Sequence, residues 1–173
     1  MNESILNGKT ILAVDDEPDV LVVLEEEIME AAPKSRIDKA TSYEQAIQLF
    51  ASWTYDLVIL DVMGVRGFDI LKRAVGRPYH FPVVILTSHA LSPESLKQSI
   101  ELGARAFLPK DILGEIVPHL EAVVKYEYGT AWSRLFKQLE GFFNTRWGPY
   151  WQKLDQKFWK EFKEKVSQKR LTS

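Results

Sequence analysis

The stretch "YDLVILDVMGVRGFDIL", Tyr55 to Leu71, decides how this chain is read. Leu57-Val58-Ile59-Leu60 is continuously apolar, as a strand covered on both faces must be. It stops abruptly on a carboxylate, Asp61. A glycine-bearing loop follows, and a helical pattern, "GFDILKRAV", begins at Gly67. A lone Asp at a strand end is most often a helix cap or a solvated loop residue. Its meaning depends on what the neighbouring strand ends carry.

The rest of the first 125 residues repeats the same alternation. "KTILAVD" (9–15) is a buried strand, and "PDVLVVLEEEIMEAA" (18–32) is a helix with Leu21, Leu24 and Ile28 on one face and Pro18 in its first turn. "RIDKAT" (36–41) is a weaker strand. "SYEQAIQLFASW" (42–53) opens with Ser42 and Gln45 at capping-box spacing and aligns Ala46, Leu49, Phe50 and Trp53. "FPVVILTS" (81–88) is the fourth strand, "SPESLKQSIELG" (92–103) a helix from Ser92 to its stop at Gly103, and "ARAFLPK" (104–110) the fifth strand. Five strands alternating with helices predict an α/β fold, a doubly wound parallel sheet of flavodoxin-like order 2-1-3-4-5. Pro109 offers no ladder donor, which puts strand five at an edge. In that order strands one and three lie side by side at the switch point, where sites form at the carboxyl ends.

Asp61 then acquires company. Strand one ends on Asp15 and Asp16, strand four on Thr87 and Ser88, and strand five on Lys110. Carboxylates packed together repel unless a cation joins them. With no cysteine in the chain and no histidine beside the three aspartates, an all-oxygen set favours Mg²⁺. A lysine and a hydroxyl around a central carboxylate make a cradle for a phosphoryl group, and Asp is an established nucleophile for forming acyl phosphates. Singly, each residue has a plainer reading: Asp16 could cap the helix that starts near Pro18, Thr87 could belong to a turn, and Lys110 could be a surface charge. Four strand ends bearing these groups in order favour the joint reading.

Together "ILAVDDEPDV", "YDLVILDV", "PVVILTSH" and "GARAFLPKD" closely resemble the receiver domain of two-component response regulators, over roughly residues 8–125. The resemblance implies that Asp61 accepts a phosphoryl group, that Asp16 and Asp61 ligate Mg²⁺ directly, and that Asp15 assists through water. It also implies a metal contact from the Met63 backbone carbonyl, a Thr87 that moves toward the phosphoryl group, a Lys110 that pairs with it, and Phe107 as the aromatic switch residue. The donor would be a histidine kinase or a phosphotransfer protein. Such a chain would be no enzyme beyond its own phosphorylation and dephosphorylation. Three departures stand out. Receivers continue past the acceptor as D-x-x-M-P-x-x-x-G, whereas here the loop from Asp61 to Gly67 is two residues shorter and lacks the Pro. Asp111 follows Lys110 in place of the usual Pro, and Phe107 replaces the commoner Tyr. His89 lies where receivers tune acyl-phosphate hydrolysis, and reads equally as a solvated loop histidine. His80 and His119 have no partner at useful spacing.

The remaining residues, 126–173, carry no output-domain motif that can be named from the sequence, and differ in chemistry. Residues 146–173 carry eight basic side chains against three acidic ones, so this segment is +5 and residues 1–145 are −7. Of 20 aromatics, 12 fall between Tyr126 and Phe162, which marks the segment as an amphipathic helical extension. Tyr128, Trp132, Leu135, Leu139 and Phe142 form one helical stripe, and Trp147, Trp151, Leu154, Phe158, Phe162 and Val166 form another beyond "RWGPY". So large an apolar surface must be covered. A helical hairpin folded on itself, on the receiver-like region, or across a homodimer would each cover it, as would a partner protein. The first turns could also extend the fifth helix of the receiver-like region. With no helix-turn-helix pattern and ordinary solvated lysines, nucleic acid and a membrane surface are weaker readings than self-association or a partner.

The bulk properties fit this picture. Zero cysteines exclude disulfides, thiolate metal sites and Cys nucleophiles, and agree with a reducing cytoplasm. No apolar run approaches membrane-spanning length, and "MNESILNGKT" is too polar for a signal peptide. The expectation is a phosphorylation-dependent signalling switch, with residues 1–125 as the receiver and 126–173 as the extension. The alternative is a pseudo-receiver scaffold whose C-terminal helices form a constitutive complex. A phosphohydrolase acting on outside substrates would want a second acid two residues beyond Asp61, where Met63 stands.

Overall fold

The strands β1 (Thr10–Val14), β2 (Arg36–Ala40), β3 (Leu57–Leu60), β4 (Val83–Thr87) and β5 (Ala106–Pro109) pair in parallel in the order β2-β1-β3-β4-β5. The structure, a computed structural model, describes residues 3–172, with side chains through Ser167. The side chains of Lys169 and Arg170, part of the basic segment, lie outside the described residues. The sheet order is the one the alternating pattern predicts, and Pro109 sits on an edge strand as its missing donor requires. β3 and β4 are buried at every position, which explains their unbroken apolar runs.

Register carries the strand ends to one level. Val14 pairs with Leu60, so the chain leaves β1 and β3 side by side at Asp15 and Asp61. The Asp61 backbone N–H then donates to the Val14 carbonyl, at 3.0 Å. Thr87 pairs with Pro109, which places Lys110 one residue beyond the end of β4.

The helices α1 (Pro18–Ala31), α2 (Tyr43–Ser52), α3 (Gly67–Val75), α4 (Pro93–Glu101) and α5 (Val117–Lys125) cover the sheet. α1 buries Leu21, Leu24 and Ile28, the face that its 3.6-residue period defines. Ser42 and Ser92 cap α2 and α4 by accepting the N–H groups of Gln45 and Ser95, at 3.2 and 3.1 Å. The reciprocal arm at Gln45 reaches the Thr41 N–H, one residue before the cap. Gly103 ends the α4 segment with φ +97, where a β-carbon would meet Val75 Cγ1 at 2.8 Å.

Residues after Lys125 form a helical hairpin, α6 (Tyr128–Trp147) and α7 (Gln156–Thr172), joined through a 3-10 turn at Trp151–Asp155. α6 is not a continuation of α5: Tyr126 is extended (φ −101, ψ 154) and breaks the two apart. The hairpin closes on itself and also on the sheet edge, with the Phe143 ring 6.4 Å from Phe107 on β5. Its apolar residues join the same buried cluster as the strands. Burying a large apolar side chain contributes roughly 1.5–3 kcal/mol, and Trp132, Phe143, Trp151 and Trp159 are all buried.

Two stripe positions are corrected. Phe143 rather than Phe142 is the buried residue on α6, because an i/i+3/i+4 pattern alone does not distinguish adjacent edges of a wide stripe. Leu154 is 78% exposed, and Trp159 replaces Phe158 as the buried position. Gly148 (φ +86), Pro149 and the 3-10 turn reset the helical phase, so the second stripe is Trp159, Phe162 and Val166. None of the described helices is long and apolar enough to cross a membrane.

Candidate functional site

Each strand end delivers its side chain to one crevice. Asp15 and Asp61 are buried, at 3% and 2% exposure, whereas Asp16 and Glu17 are exposed. Carboxylate oxygens of all four lie within 4.8 Å of one another. Asp16 is not occupied in capping: α1 has Glu17 at its N-cap, without a side-chain cap bond. The Glu17 backbone N–H instead donates to Asp15 Oδ1, at 2.9 Å.

Lys110 holds this cluster together. Its ammonium donates to Asp61 Oδ2 at 2.7 Å and Glu17 Oε1 at 3.1 Å, and forms an ion pair with Asp15 Oδ2 at 2.8 Å. Burial works to lower its pKa, but the bonds to Asp15 and Asp61, the charge of Asp61 and the bond to Glu17 outweigh it, and the net direction is upward. Burial pushes the Asp15 carboxyl above its usual range, against the opposing pull of Lys110 and the Glu17 N–H. Lys110 stays charged because three carboxylates share it.

The other Asp61 oxygen is also engaged. The Thr87 hydroxyl, fully buried, donates to Oδ1 at 2.9 Å, and the Met63 N–H donates to the same atom at 3.1 Å. Thr87 Oγ1 in turn accepts the Ala90 N–H, at 3.3 Å. Asp61 is therefore a buried carboxylate with both oxygens oriented, facing an acidic side left open by Asp16 and Glu17.

The short loop after β3 fits tightly. Gly64 has φ +81, and a β-carbon there would lie 2.1 Å from Asp16 Oδ2. At Gly67 it would lie 2.2 Å from the Val62 Cα. Both glycines are required by close approach, and Gly64 by backbone conformation as well. Arg66 enters α3 in the left-handed region, with φ 56. The Met63 side chain is largely exposed, and its backbone N–H is the group that engages Asp61.

Asp15, Asp16, Asp61, Thr87 and Lys110 thus converge as the strand order implies. Phe107 is fully buried and faces the hairpin through Phe143. His89 is exposed, with Nε2 3.8 Å from Glu17 Oε1. Glu17 is the site residue that sequence reasoning left without a role. Its signal was its place in "DDEP", directly after two strand-end aspartates. For a hard divalent cation the donor set is suitable: Asp15, Asp16, Glu17 and Asp61 offer oxygen ligands, two anchored by burial and two accessible to water.

Comparison with known proteins agrees with this geometry. Residues 11–120 match the model of the response regulator receiver domain. The chain is 31% identical over 116 residues to a probable cyclic di-GMP phosphodiesterase of Vibrio cholerae serotype O1, covering 65% of this chain and 25% of that protein. It is 33% identical over 105 residues to the response regulator GtcR of Aneurinibacillus migulanus, covering 60% of this chain and 42% of that protein. The chain therefore matches less than half the length of either relative. The fold is shared with the receiver domain of NtrX from Brucella abortus, at 23% identity and TM-score 0.60, over 68% of this chain and 99% of that one. With the matched region spanning the sheet and all of its strand-end residues, the chain belongs to the response regulator receiver domain family.

Proposed function

We propose that the chain is a phosphorylation-dependent signalling switch in which Asp61 accepts a phosphoryl group from a histidine kinase or a phosphotransfer protein. The observation that carries this reading is the arrangement around Asp61: a buried carboxylate with Lys110 at 2.7 Å on one oxygen and the Thr87 hydroxyl at 2.9 Å on the other. An Asp61 oxygen attacks the donor phosphorus. The new O–P bond forms as the donor's P–N bond breaks, and the electron pair remains on the imidazole nitrogen. Lys110 pairs with a phosphoryl oxygen, and the Thr87 hydroxyl donates a hydrogen bond to another. Asp15, Asp16 and Asp61 would hold Mg²⁺, which when bound would offset charge on the transferring group. Residues 1–125 act as the receiver and 126–173 as its extension.

Intact mass after incubation with Mg²⁺ and acetyl phosphate tests the reading, beside an Asp61→Asn control. One labile phosphate that requires Mg²⁺ and is lost in the control supports it. No adduct, together with no Mg²⁺ binding, overturns it.

One observation favours a second reading, a pseudo-receiver scaffold. The shortened loop brings Gly64 against the Asp16 carboxylate, and Mg²⁺ binding without an adduct would indicate that this loop closes the site.

A further inference from the structure

The hairpin touches the receiver where the loop from β4 to α4 leaves the site. The Trp147 indole N–H donates to the Leu91 carbonyl at 3.1 Å, across 56 residues of sequence. The Trp147 ring cannot shift freely: it is stacked on Phe143, with centroids 4.7 Å apart and planes within 3°, and Trp151 meets it edge-on at 5.1 Å. Phe143 is itself wedged against Phe107. Lys97 on α4 forms an ion pair with Asp155 in the turn before α7, and Arg146 lies 4.0 Å from Asp111.

The same loop is tied to Asp61 at its other end. Thr87 donates to Asp61 Oδ1 and accepts the Ala90 N–H. Ala90 precedes Leu91, and the Ser92 N–H donates to the Ala90 carbonyl at 3.0 Å. The amide held by Thr87 and the carbonyl held by Trp147 belong to consecutive residues, Ala90 and Leu91.

We propose that Trp147 is a positioning residue for the chemistry at Asp61, holding the 87–91 loop through Leu91 and so coupling the α6–α7 hairpin to the acceptor site. The inference rests on the reading of Asp61 as a phospho-acceptor. A hydroxyl has one proton to donate, so Thr87 bonds either the Asp61 carboxylate or a phosphoryl oxygen. Moving Oγ1 changes what the Ala90 N–H can reach and displaces the adjoining Leu91 carbonyl. A bond of 3.1 Å to a clamped indole tolerates little displacement. The two positions of the loop thus differ in their contact with the hairpin, which is what coupling between two sites requires. Coupling is reciprocal in its equilibria: a hairpin that favours one loop position biases the acceptor site, and phosphorylation biases hairpin docking.

The test uses the full chain, labelled with ¹⁵N, and reads the five tryptophan indole N–H resonances, with Trp147 assigned by its loss in Trp147→Phe. Without phosphodonor, Thr87→Ala is expected to move the Trp147 indole resonance and leave in place that of Trp53, which lies against Arg36 on β2 at the opposite edge of the sheet. Trp147→Phe keeps a ring for stacking and removes the donor together with some ring volume, a loss that the control variant matches. It is expected to change the rate of Mg²⁺-dependent phosphate gain from acetyl phosphate on the order of two- to tenfold, the range of one hydrogen bond. Trp159→Phe, a matched loss of ring volume in the same hairpin at a tryptophan with no hydrogen bond to the loop among the described residues, should leave that rate near wild type. An unmoved Trp147 indole in Thr87→Ala, or equal rates in the two tryptophan variants, overturns the proposal. If wild type gains no phosphate but Thr87→Ala still moves the indole, the loop–hairpin coupling stands and the acceptor reading alone fails.

Discussion

Lys110→Gln removes the one ammonium that joins three carboxylates. In the folded protein the Lys110 side chain is 10% exposed, and those of Asp15 and Asp61 are 4% and 1% exposed. Deleting one member of a buried ion pair costs about 3–5 kcal/mol, because the remaining charge has no partner. Here two carboxylates are left facing each other, but water reaches them past Asp16 and Glu17, so the lower end, about 3 kcal/mol, applies. With a urea dependence of about 2 kcal/mol per molar, the unfolding midpoint should fall by about 1.5 M in chelator. A divalent cation replaces the missing charge: Mg²⁺ at a hundred times its Kd stabilises by about 2.7 kcal/mol, nearly the whole deficit. The assay is urea unfolding of wild type and variant, each in EDTA and in saturating Mg²⁺. The reasoning predicts a larger Mg²⁺ increment in the variant than in wild type, where Lys110 already neutralises the carboxylates. A variant as stable as wild type in EDTA, or one that Mg²⁺ does not restore, would refute it.

Phe143→Ala should destabilise the chain by about 3–5 kcal/mol and lower a single unfolding transition, since the hairpin and sheet share one buried cluster; two separate transitions in calorimetry would contradict that. Gly64→Ala combines a left-handed φ, costing an alanine roughly 1–2 kcal/mol, with a β-carbon against the Asp16 carboxylate. It should weaken Mg²⁺ binding as measured by titration, and unchanged affinity would remove Asp16 from the ligand set. Burial lowers the His119 pKa, with Glu115 opposing, so the unfolded chain takes up the proton first and stability falls as pH drops below about 6.5. His119→Gln should flatten urea midpoints across that window, and an unchanged slope would exclude this histidine as the source.

What the sequence made legible follows from periodicity and from where charges interrupt it. Asp15, Asp61, Thr87 and Lys110 each end an apolar run, so a sheet order was enough to bring them together. The α3 boundaries, Gly67–Val75, coincide with the pattern because Gly67 is forced by the Val62 backbone. Glu17 escaped notice because two aspartates before it already satisfied the pattern, and its bond to Lys110 spans 93 residues. The hairpin was legible as amphipathic helix but not as to what it covers. Choosing among itself, the receiver and another chain depends on long-range contacts such as Trp147 to Leu91. Its phase was lost at Gly148-Pro149, where a positive φ and a 3-10 turn carry no helical period. The short loop announced itself by residue count alone; its consequence, Gly64 packed on Asp16, required the backbone conformation.

The most direct measurement is to locate the phosphoryl group. Borohydride reduces an aspartyl phosphate to homoserine, so the chain is incubated with Mg²⁺ and acetyl phosphate, reduced, digested and sequenced by mass spectrometry. The account predicts homoserine at position 61 alone, and only with Mg²⁺. Reduction at Asp15, Asp16 or Asp56 instead, or at no residue while Mg²⁺ is bound, would contradict it.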